Sequence, residues 1–135
     1  MKRLVLLFGL MVLPATAVMA CPIPVTDDSH KARSADHMLS LKTTPAKIRV
    51  GQAFTALLTI CDHFDTPFAG DVKVDAEMPM HKHGMNYRPS VTPLGMGRFK
   101  VQGMLFHMPG VWQFRFDLRG TQGADRINFT YRLDP

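Results

Sequence analysis

The stretch GVWQFRFDLRGTQGADRINFTYRL, Gly110 to Leu133, alternates apolar and polar residues twice, with a turn signal between the two runs. In the first run Trp112, Phe114, Phe116 and Leu118 share one parity, and Gln113, Arg115 and Asp117 take the other. The second run repeats the pattern with Ile127, Phe129, Tyr131 and Leu133. Successive side chains of a strand point to opposite faces, so a period of two marks strands with one dry and one wet side. RGTQG supplies the glycines and small polar residues that turns require.

The same period extends toward the N-terminus. GRFKVQGMLF sets Phe99, Val101, Gly103 and Leu105 on one side, and GDVKVDAEM sets Val72, Val74, Ala76 and Met78 against Asp71, Lys73, Asp75 and Glu77. KIRVGQAFTALLTICD reads as a short strand, a turn at Gly51 and a long strand, and HMLSLKTTP as the first strand. Turn signals recur at VGQ, DTPFAG, TPLGMG and MPG, and no window has the period of an amphipathic helix. The expected fold is all-β, an immunoglobulin-like antiparallel β-sandwich of about seven strands. The inter-sheet cysteine spacing of antibody domains is missing, so that likeness is one of architecture.

The N-terminus has the pattern of an export signal. Lys2 and Arg3 precede the apolar run LVLLFGLMVL, which is short for a membrane span, and Pro14 leads into small residues ending at Ala20. Residues 1–20 are therefore read as a cleaved signal peptide, 21–36 as an extended leader with little structure of its own, and 37–135 as the domain. Two processing routes are open. VMA fits ordinary signal peptidase, and the same residues followed by Cys21 fit a bacterial lipobox with an unusual Met19, which would make Cys21 a lipoprotein anchor. Either route implies a periplasmic or otherwise exported domain, and with two cysteines in an oxidising compartment a Cys21–Cys61 disulfide is the default pairing. The signal holds two of the sixteen basic residues and none of the eleven acidic ones, leaving fourteen against eleven. The remaining basic residues form no run, so nucleic acid is not an expected partner.

One segment departs from ordinary strand composition. EMPMHKHGM, Glu77 to Met85, carries three methionines and two histidines, and FHMPGVW adds His107 and Met108. Strand parity sends Met78 into the core, and Pro79 then interrupts the ladder. His81 and His83, two apart, project from one side of an extended backbone, and Met85 continues that side past Gly84. Thioether sulfur favours Cu(I), imidazole accepts either copper state, and the carboxylate cage of calcium or magnesium is absent, so the candidate metal is copper, with Cu(I) favoured. The candidate ligands are His81, His83, Met85, Met80, His107 and Met108, and the two clusters are expected to converge at one end of the sandwich. Zinc stays open through the histidines and Glu77. Two other readings stand beside the metal. Methionine fills gaps in cores and loop histidines are often only solvated, or the segment is an exposed loop that recognises a periplasmic or membrane protein partner.

From Asp75 to Leu118 the chain resembles the FixH/YtkA-like group of small exported or membrane-tethered bacterial domains. The shared elements are MPxHxHGM, here Met78, Pro79, His81, His83, Gly84 and Met85; a GxGxF strand opening; and an HMPGxW turn, here His107 to Trp112. The resemblance implies an immunoglobulin-like sandwich and a link to copper handling or respiratory-oxidase maturation. This chain lacks the persistent transmembrane helix of the anchored members. The sequence has no nucleophile–base motif and no phosphate-cradling glycine loop, so an enzyme is not expected.

Overall fold

Nine strands form among residues 20, 21, 23, 24 and 26–135, which are the residues that the computed structural model describes. The expected signal peptide lies outside them, Ala20 apart. The strands are β1 (His30–Arg33), β2 (His37–Thr44), β3 (Ala53–Asp62), β4 (Gly70–Met78), β5 (His83–Gly84), β6 (Ser90–Gly95), β7 (Arg98–Leu105), β8 (Gly110–Gly120) and β9 (Gly123–Leu133). They build two antiparallel sheets packed face to face, in the orders β1-β2-β3-β7-β6 and β5-β4-β8-β9. The all-β sandwich expected from the alternation is what forms. It has more strands than the sequence suggested because β1, β5 and β6 are short edge pieces.

The apolar rows of β4 and β8 face the first sheet. Val72, Val74, Ala76 and Met78 are buried, as are Trp112, Phe114, Phe116 and Leu118, and the register pairs Val74 with Phe116 and Ala76 with Phe114. Trp112 is a core residue, stacked on Phe106 with ring centroids 4.3 Å apart. Its indole Nε1–H donates to the Met108 carbonyl at 3.0 Å, which settles the one polar atom that burial would otherwise leave unpaired.

Four local readings change. Lys47–Val50 is not a strand: Ile48 alone enters the core, and the Gly51 N–H is held by the Phe106 carbonyl at 2.8 Å. TPLGMG is mostly strand, and its turn is confined to Met96 and Gly97. In β7 the parity flips at Gly103. Phe54 pairs with Met104 and Ala56 with Val101, so β7 spends one more residue than β3 over that step, and Gly103 takes φ +82°. Such a bulge is what glycine permits. It buries Met104 and Phe106 in place of Gly103 and Leu105.

The leader is the fourth. Its last part forms β1, paired antiparallel with β2 from His30↔Leu41 to Arg33↔Met38. Upstream, Cys21 is buried, its N–H donates to the Asp65 carbonyl at 2.8 Å, and it forms a disulfide with Cys61 of β3, Cα atoms 6.0 Å apart.

Candidate metal centre

β4 ends at Met78 because Pro79 cannot donate to a ladder. Pro79 to Lys82 make the reversal, closed by the His81 N–H on the Met78 carbonyl at 3.1 Å, with Lys82 at φ +52°. The chain returns as β5, pairing His83 with Met78 and Gly84 with Glu77. This tight hairpin holds the two imidazoles together: the His81 and His83 ring centroids are 6.4 Å apart and their planes differ by 26°. Both side chains are exposed, and Met80 beside them is 86% exposed.

The remaining candidates are less free. Met85 is half-buried against the core, with its N–H on the Ala76 carbonyl. Met108 is also half-buried against the core, and His107 lies edge-on to Trp112 at 5.5 Å. The two motifs touch through Met78 and Gly110, neither of them a candidate ligand. The Met78 methyl packs so closely on Gly110 that a Cβ there would lie 2.5 Å from it. Met104 is fully buried core, and Met96 sits in the β6–β7 turn at the opposite end of the strands. Glu77 turns to the outer sheet face, 3.7 Å from Arg115.

The donor chemistry fits a soft ion better than a hard one. An imidazole nitrogen binds a metal in the plane of its ring at about 2 Å, so these exposed neighbouring rings would have to turn about their side-chain bonds to share one ion. Among the described residues no group of three or more His, Cys, Asp or Glu side chains gathers as a ligand set. Met80 and Met85 are the thioethers that the same hairpin carries.

The opposite end of the sandwich holds a network that sequence reasoning missed. Asp125 accepts hydrogen bonds from Ser34 Oγ and, at 2.7 Å, from His37 Nδ1. Burial works against ionisation of Asp125, but the Ser34 and His37 bonds outweigh it and hold the carboxyl below its ordinary value. Asp62 is also lowered, first by the Thr66 N–H. His37, His63, Asp62, Phe64, Phe68 and Asp125 face a cleft of about 460 Å3. The histidines outside the two motifs, His37 among them, have partners: His30 packs on Phe129 and Tyr131, and His63 bonds the Ala35 carbonyl. His37 and Asp125 are 88 positions apart, and no local pattern signals such a pair.

Compared with family models, curated proteins and solved structures, the chain matches none.

Proposed function

We propose that this chain is an exported β-sandwich module that binds copper, Cu(I) in preference, at the tip of the β4–β5 hairpin, and that it serves in copper handling or respiratory-oxidase maturation. The observation that carries the reading is the exposed, stacked pair His81 and His83 at 6.4 Å, with Met80 at the same tip. Soft thioether and imidazole donors favour Cu(I) over zinc or a hard cation. Met85, His107 and Met108 stand at the same end of the fold and are the further ligands of this reading. Its physiological half rests on the resemblance to FixH/YtkA-like domains. The exposure of Met80 and of Tyr87, at 86% and 55%, favours a second reading, in which the hairpin docks on a periplasmic or membrane protein.

Copper titration with melting as the readout separates the two, using a reagent that keeps Cu(I) reduced but spares disulfides. A ligand at a hundred times its dissociation constant adds about 2.7 kcal/mol, and the parent should gain on that order. His81→Ala and His83→Ala should each lose most of the gain while melting like the parent without copper, since exposed side chains contribute little packing. No copper shift in the parent, with loss of a co-purifying protein in both variants, would establish the docking reading instead. An equal copper response in all three proteins would eliminate the hairpin as the site.

A further inference from the structure

The two lateral sides of the sandwich are unlike. On one, β1 lies against β9, with the His30 ring 5.0 Å from Phe129 and 5.7 Å from Tyr131. On the other, β5 pairs with β4 only at Glu77 and Met78, so among the described residues no strand covers the outer edge of Gly70 to Asp75. One bond gives the direction of the free groups there. The Met85 N–H donates to the Ala76 carbonyl at 3.1 Å, so Ala76 faces away from β8. A strand residue's N–H and C=O point to the same side, and alternate residues share that side, so Gly70, Val72 and Val74 also present a donor and an acceptor outward. The edge of β6 is blunted by Pro93, and further along β4 itself the Ala76 N–H is taken by Asp75 Oδ1 at 2.8 Å, which leaves Gly70 to Val74 as the open stretch. Unpaired edges of this kind are templates for another strand.

We propose that β4 pairs antiparallel with β4 of a second copy of this chain, about a two-fold axis at Val72, joining two four-stranded sheets edge to edge. Charge selects both the occupant and the register. On the outer face Arg126 stands opposite Asp117, and Asp117 opposite Lys73; two residues along, Arg119 stands opposite Asp71. Asp71 and Lys73 are exposed, and among the described residues neither is in an ion pair. With Val72 facing the partner's Val72, Lys73 faces the partner's Asp71 and Asp71 faces the partner's Lys73. Each row then crosses the axis as Arg126, Asp117, Lys73, the partner's Asp71, the partner's Arg119, alternating in sign throughout. Centring on Lys73 would set like charges opposite each other, and the backbone groups of Lys73 point to β8. A cleft of about 390 Å3 runs along this edge, lined by Val72, Val91, Pro93 and Phe99 and by the charged Asp71, Lys73, Asp117 and Arg119, so an added strand would meet both apolar and charged side chains there.

Sedimentation equilibrium of the purified chain and of Asp71→Lys, Lys73→Asp and the double variant tests this. The parent should associate to a dimer. Each single variant sets like charges opposite twice and should weaken association roughly tenfold, since cross-strand pairs contribute up to about 1 kcal/mol each. The double variant restores opposite charges across the axis, while the like charges it sets against Arg119 and Asp117 are present in monomer and dimer alike, and it should recover most of the affinity. Added salt should narrow the differences. Hydrogen exchange should show concentration-dependent protection of the Val72 and Val74 amides, with the Lys73 amide unchanged. A parent that stays monomeric, singles that dimerise like the parent, or a double variant no tighter than the singles would each overturn the proposal.

Discussion

Gly110 shows how a single residue links the two motifs of the candidate centre. Its φ is +132°, and a Cβ added to it would press on the Met78 methyl. Gly84, inside the hairpin, has ordinary φ and nothing within 4 Å of a Cβ position. The two glycines therefore predict opposite results. Gly110→Ala combines backbone strain with overpacking and should cost about 1–3 kcal/mol. Gly84→Ala should stay within about 0.5 kcal/mol of the parent. Denaturant unfolding of both variants checks this, and equal losses would show that the Met78–Gly110 contact does not fix this end of the fold. The glycine of MPxHxHGM and that of HMPGxW look alike in sequence, but only the second is held by its surroundings.

At the scale of elements, the Ser34–Asp125–His37 network ties the β1–β2 connection to the start of β9 and so joins the two sheets at the end away from the hairpin. Ser34 Oγ also accepts the His37 N–H at 3.0 Å, so one hydroxyl organises the turn and anchors it. The sign of its pH dependence follows from the lowered carboxyl. A carboxylate with a depressed folded pKa stabilises fully above its unfolded value and loses that contribution as pH falls through the folded value. The ordinary value for Asp125 is 3.8, so the loss belongs to pH below about 4. Asp125→Asn should be less stable than the parent at neutral pH, and the two should converge as the pH drops below 3.8. Unfolding free energies across that range test it, and curves that stay parallel would remove Asp125 as a source of acid sensitivity.

At the scale of the molecule, the Cys21–Cys61 bridge closes a loop with a sequence separation of 40 and fixes the leader to β3. Constraint of the unfolded chain by such a loop contributes about 2–4 kcal/mol. Reduction should lower the unfolding free energy by that order while the sheets persist, because the hydrophobic cluster of the core includes neither cysteine. Far-ultraviolet circular dichroism with and without reductant measures both, and complete unfolding on reduction at room temperature would show the sandwich to depend on the leader. The fold is polar in its chemistry: soft donors gather at the end of β4, and carboxylates and imidazoles at its start.

The strands and their buried faces were legible in the sequence wherever alternation ran uninterrupted. β4, β8 and β9 carry their periods over nine or eleven residues, and a one-residue slip would put every apolar side chain into water. The density of methionine and histidine around Glu77 to Met85 was equally plain, because composition needs no geometry. Tertiary structure alone decided what depends on contacts between distant segments. The bulge at Gly103 moved burial to Met104 and Phe106, because a glycine can spend an extra residue where β3 demands it. The leader became β1 because β2 offered an edge, and the scattered histidines found partners far along the chain. The methionine cluster was sorted into core, half-buried and exposed members by where the hairpin turns. A period is local and written in neighbouring residues; a partner across the fold is not.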